Sequence, residues 1–161
     1  MSDELTKTGR PAGDDEIARL AAAFEACAVE KFGHAEHLTI ALWYLARLPE
    51  AEACGRVRAG LRRLSALDGD GRYHETLTAF WLRAVAAFLR DADSEQPLAV
   101  LRERLVARFA DPRVVFDHYS PERLNSREAK TSWVEPDLKP LEGVTIESRE
   151  SSIVNRESIR K

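Results

Sequence analysis

The sequence predicts an all-α protein: a single bundle of about five helices, followed by short C-terminal helical turns and an extended proline-containing strap. Three observations carry this. Apolar residues return every three or four positions in five separate stretches, the spacing that lines one face of a helix. Glycine, proline and aspartate fall between those stretches, where they favour turns over continued helix. No stretch alternates strongly enough to propose a sheet, although Val144–Ile146 has the residues to pair locally. At 161 residues the chain fits one domain with a real core.

The first helix is expected from about Asp14 to Lys31, with Ile17, Leu20, Ala21, Phe24, Cys27 and Ala28 on its apolar side. Asp14 or Asp15 is placed to cap its start, and Gly33 to end it. A second runs from about His34 to Leu48, burying His37, Leu38, Ala41, Leu42, Tyr44, Leu45 and Leu48, and Pro49 stops it. A third follows from Glu50 to Leu67, with Ala53, Val57, Leu61, Leu64 and Leu67 inward and Arg56, Arg58, Arg62 and Arg63 outward. Asp68-Gly69-Asp70-Gly71 then breaks the chain.

Tyr73 to Arg90 carries Leu77, Phe80, Trp81, Ala84, Val85, Phe88 and Leu89. It is the most aromatic helix and is expected at the centre of the core. Pro97 suits the first turn of a fifth helix ending near Ala110. Past Asp111-Pro112 the pieces are single turns, with Ser120 and Ser126 at N-cap positions. Two prolines keep Trp133–Leu141 from being helical, so this segment is expected to lay Trp133, Leu138 and Leu141 on the bundle. The domain reading is a flexible N-terminus over 1–13, a helical domain over 14–141 and a disordered tail over 142–161, where Ser148-Arg149-Glu150-Ser151 is nearly repeated as Asn155-Arg156-Glu157-Ser158.

Composition narrows the function classes. With 44% hydrophobic and 32% charged residues the chain reads as an ordinary globular protein. A net charge of -3 argues against charge-driven binding to nucleic acid, which depends on neutralising phosphates. Nothing approaches the roughly 20 apolar residues of a membrane span, and Met1–Arg10 has no apolar core of signal-peptide kind, so the expected setting is cytoplasmic. Cys27 and Cys54 lie in helical patterns and are read as small hydrophobes rather than a disulfide.

Three of the four histidines fall in two short segments, Gly33-His34-Ala35-Glu36-His37-Leu38 and Arg72-Tyr73-His74-Glu75-Thr76-Leu77-Thr78, each opening a helix. His34 and His37, three apart, share a face, and His74 joins them if the second and fourth helices are neighbours. Imidazole titrates near neutrality and is the commonest metal ligand. The expectation is therefore a centre with His34, His37 and His74 as metal ligands, completed by Glu36, Glu75 or Glu30. A nitrogen-and-oxygen set without thiolate suits zinc, iron, manganese or copper. Glu75 or Glu36 is then the candidate proton carrier, Thr78 a supporting residue, and the function a metal-dependent enzyme acting on a small molecule. A metal-free version leaves acid/base work to His74 with Glu75.

The patterns His-Glu-x-x-His and paired Glu-x-x-His are absent, as are the serine-nucleophile, phosphate-loop and dinucleotide fingerprints. Asp68–Gly71 lacks the later ligands of a calcium loop. His118, flanked by Asp117 and Tyr119, is the remaining candidate, as a supporting group or an exposed loop residue. The simpler alternative makes the histidines structural: His34 caps a helix, His37 bonds a backbone carbonyl, and His74 satisfies its polar atoms beside the loop. The protein is then a non-catalytic helical binding protein.

Phe32-Gly33-His34-Ala35-Glu36-His37-Leu38, Tyr73-His74-Glu75-Thr76-Leu77-Thr78, Tyr119-Ser120 with Leu124 and Ser126, and Trp133–Asp137 with Leu138 and Pro140-Leu141 resemble the landmarks of a group of small bacterial proteins of unassigned function. The resemblance spans about Phe24 to Leu141 and leaves out the tail. It implies a small helical protein with His-x-x-His and Tyr-His-Glu-Thr segments as its signature, and no activity.

Overall fold

In the computed structural model of the protein, residues 12–69, 71–93 and 95–141 are described, and all regular structure among them is helical. The segment 1–11, most of the expected flexible N-terminus, and the expected tail 142–161 lie outside the described residues. Five longer helices are α1 (Ala12–Glu25), α2 (His34–Arg47), α3 (Glu50–Asp68), α4 (Glu75–Asp91) and α5 (Leu98–Arg108). A 3-10 turn over Pro112–Asp117, then α6 (Pro121–Leu124) and α7 (Arg127–Thr131), complete the expected bundle with its short C-terminal pieces. Among the described residues no helix is long and apolar enough to cross a membrane.

The centre of the bundle is α2, not the more aromatic α4 that the sequence points to. It packs against α1, α3, α4 and α5. A helix with neighbours on several sides cannot be buried on one stripe alone, and the run Leu38–Leu42 is buried throughout. The two-residue link Leu48-Pro49 turns α3 back beside α2, and Gly69, in the left-handed region at φ 68°, ends α3.

Helix α1 stops at Glu25, well short of Lys31. The Ala28 N–H bonds Ala23 O at 2.8 Å and the Cys27 N–H bonds Phe24 O at 3.1 Å, the paired bonds of a Schellman cap. Cys27 occupies the left-handed position of that cap, at φ 57°. This conformation costs a non-glycine residue about 1 kcal/mol, and the periodicity continuing through Ala28 hides the break. Cys27→Gly is therefore expected to raise stability, by about 0.5–1 kcal/mol after the added freedom of the unfolded chain is allowed for. Urea denaturation checks this; a loss of stability would mean that the thiol's packing outweighs the strain. Beyond the cap the chain folds back so that Phe32 stacks on Phe24, with ring centroids 5.5 Å apart.

Several other expectations are corrected by tertiary partners. Asp14 does not cap its own helix: its carboxylate accepts the Ala99 N–H at 2.6 Å and so caps α5, whose preceding residue Pro97 offers no side-chain acceptor. Arg58 turns inward to Glu75 at the start of α4, while Arg62, exposed as expected, reaches the same carboxylate from outside. Leu67, expected inward, is 68% exposed in the last turn of α3, where it lines a cleft.

The C-terminal pieces form a second core around Phe80, with Val115, Tyr119, Leu124, Ala129, Val134 and Leu141. Here the strap departs from expectation in one residue: Leu141 is buried and Trp133 half-buried, but Leu138 is 57% exposed and Val134 is buried instead. The strap's backbone decides this. Tyr119 donates from its phenol to Val134 O at 2.7 Å, Thr76 Oγ1 accepts the Val134 N–H at 3.2 Å, and the Leu138 N–H bonds His118 O at 2.9 Å. Those bonds turn Val134 inward and leave the Leu138 side chain outside.

Candidate functional site

Because α3 runs back along α2 and α4 runs back along α3, the N-termini of α2 and α4 lie at the same end of the bundle, beside the C-terminal half of α3. That end carries a half-open cleft of about 610 Å³, within the range of small-molecule sites. Its walls are Leu61 and Leu64 of α3, Leu77 and Trp81 of α4, and Phe32 from the segment after α1. His34, His37 and His74 all line it. The three imidazoles are thus brought to one place, and their hydrogen bonds give each a different role.

His74 is fully committed. Its Nδ1 accepts the Leu77 N–H at 3.2 Å, capping α4, and its Nε2 lies 2.8 Å from Leu124 O in α6. Accepting at Nδ1 and donating from Nε2, the ring clamps α4 to α6. His34 Nε2 donates to Phe109 O at 2.7 Å, just past the end of α5, and the ring meets Trp81 edge-on at 4.8 Å. The simpler alternative had His74 satisfied, as it is, but gave the helix cap to His34. Instead the cap belongs to His74, and His34 bonds a carbonyl 75 residues away.

Among the described residues His37 bonds no protein atom through its ring, which lies 4.5 Å from the ring of Phe32. The residue is exposed at the cleft mouth, yet the remaining sides of the ring face protein. That desolvation, and next the charge of His34, lower its pKa below the ordinary 6.5, against the opposing pull of Glu36. The imidazole is therefore neutral at pH 7. Since the unfolded chain binds this proton more readily, stability rises with pH between the folded and unfolded values and falls as the solution is acidified below about 6.5. The ring's NMR resonances are expected to titrate with a midpoint below 6.5, and His37→Gln to flatten the pH dependence of stability in that window. A midpoint at or above 6.5 would contradict the crowding described.

The two carboxylates expected to carry protons are held in structural roles. Glu36 accepts the Gly33 N–H at 2.9 Å, satisfying a free donor at the start of α2. Glu75 accepts from the Tyr73 phenol at 2.6 Å, Arg58 Nε at 2.9 Å and Arg62 at 3.4 Å. Desolvation, followed by the Glu75 hydrogen bond and charge, pushes the Tyr73 phenol up to about 12. Thr78 donates to His74 O at 2.8 Å, closing the first turn of α4. His118 stands elsewhere, its Nδ1 3.0 Å from Lys139 O on the strap.

With His74 saturated and His34 tied by one nitrogen, the three rings do not present three free donors to one ion. Among the described residues no group of three or more His, Cys, Asp or Glu side chains is placed to hold a metal. The Arg58–Glu75–Tyr73 cluster and the Thr76 bridge to the strap were not singled out from sequence. A threonine in the phase of an apolar helix face was the available sign for the second; nothing local signalled the first.

No protein-family model, no curated protein and no solved structure matches the chain.

Proposed function

We propose that this is a helical binding protein that takes a small, largely apolar molecule into the cleft beside His37. One observation carries the reading: among the described residues, His37 alone of the three cleft imidazoles has neither ring nitrogen bonded to protein. Apolar walls supply the affinity of such a site, and a few placed polar groups orient the ligand. His34 and His74 support the walls by fixing α2 to the end of α5 and α4 to α6.

The neutral hydrophobic fluorophore N-phenyl-1-naphthylamine tests this. Saturable one-to-one binding is expected, lost in Leu61→Trp, whose indole fills the cleft from the α3 wall, while the far-ultraviolet circular dichroism of that variant is unchanged. Binding that survives the filled cleft overturns the reading. Elemental analysis of protein purified without a histidine tag separates it from the metal-centred alternative. Near-stoichiometric transition metal that disappears in His37→Ala and His74→Ala would favour a metal-dependent site.

A further inference from the structure

Resting on the reading of the cleft as a ligand site, we propose that its occupant is a hydrophobic amine, an alkyl or aryl body bearing an ammonium head. Several polar groups facing the cleft are already taken. Tyr73 gives its phenol proton to Glu75, Thr78 bonds His74 O, and His74 spends both nitrogens on backbone. Arg72 lies 3.9 Å from Asp68, so the positive charge on the rim is offset beside itself. Among the described side chains of the cleft, His37, the second ring nitrogen of His34 and the exposed carboxylate of Glu30 remain to meet a ligand.

The carboxylate requires a donor, and the imidazole accommodates one. A carboxylate only accepts hydrogen bonds, and a neutral imidazole has an acceptor nitrogen. The fixed charges lining the cleft are Glu30 and Asp68 against Arg72. An anionic ligand would therefore meet a net negative charge, with Arg72 already beside Asp68. That charge attracts an ammonium, and the Phe32 and Trp81 rings on the walls add the favourable face of an aromatic quadrupole toward a cation. The crowding that keeps His37 from protonating also spares a cationic ligand a competing charge.

Three probes with one chain and different heads decide the matter: n-octylamine, 1-octanol and n-octanoate, titrated at pH 7 and low ionic strength with NMR signals of Leu77 and the Trp81 indole as readout. Octylamine is expected to bind about fivefold or more tighter than octanoate, with octanol between them. In Glu30→Gln, a change at an exposed position between α1 and α2, the amine-to-carboxylate ratio is expected to fall to about twofold with octanol binding unaltered. Octanoate binding as tightly as octylamine overturns the proposal, and so does a ratio that Glu30→Gln leaves unchanged. Cleft binding by octanol alone would keep the ligand-site reading and reject the amine. If no probe perturbs Leu77 and Trp81, the ligand-site reading fails, and the amine with it.

Discussion

Gly60→Ala is expected to destabilise the protein by about 2 kcal/mol, although alanine is the better helix former. Gly60 lies inside α3 and is buried, and a Cβ built there would stand 2.3 Å from two ring carbons of Phe24. Phe24 is 0% exposed, stacked on Phe32 and edge-on to Tyr44 at 6.3 Å, so its ring has nowhere to go. The strain of a collision in a close-packed core exceeds the roughly 1 kcal/mol of backbone entropy that glycine costs a helix. Gly55 supplies the control: it sits in the same helix with nothing within 4 Å of its added Cβ, and Gly55→Ala is expected to stabilise by about 0.5–1 kcal/mol. Guanidinium denaturation of both variants, and of Gly60→Ala in a Phe24→Leu background where the loss should shrink, measures the effect. Equal gains at the two glycines would mean that α1 and α3 are not in contact at Phe24.

Thr76→Val is the second large effect, a loss of about 1–3 kcal/mol from a substitution that keeps side-chain shape. Thr76 is 0% exposed in the first turn of α4; its hydroxyl donates to Ser132 O at 2.8 Å and accepts the Val134 N–H at 3.2 Å. Valine leaves that buried N–H without its acceptor, and the cost is its desolvation rather than the modest net value of a hydrogen bond. The strap is held mainly by such backbone bonds, so amide exchange at Val134 and Leu138 should accelerate more than exchange in α2. Tyr119→Phe, which removes one bond to Val134 O, should cost less. Stability within about 0.5 kcal/mol of the parent, with strap exchange unaltered, would show that Thr76 does not fasten the strap.

The outline of the site was legible in the same terms as the fold. His34, His37 and His74 could be placed at two helix starts, and their shared end of the bundle followed from short connections between neighbouring helices. Their chemistry could not be read. Whether an imidazole is free depends on which carbonyl lies beside it, and for His34 and His74 those carbonyls belong to Phe109 and Leu124. The role of Glu75 was hidden for a similar reason, since its arginines come from the facing side of α3.

The sequence by itself determined the all-α class, the five main helical segments, the stops at Pro49 and Gly69, and the serine caps at Ser120 and Ser126, because these depend on periodicity and local backbone preference. Tertiary structure alone decided that α2 is central, that α1 ends at the left-handed Cys27, that Asp14 caps α5, and that His37 is the imidazole left unbonded in the cleft. Local preference spans only the few residues of one turn. Hydrogen-bond partners and burial are settled between segments dozens of residues apart, by which packing of the whole chain has the lowest free energy.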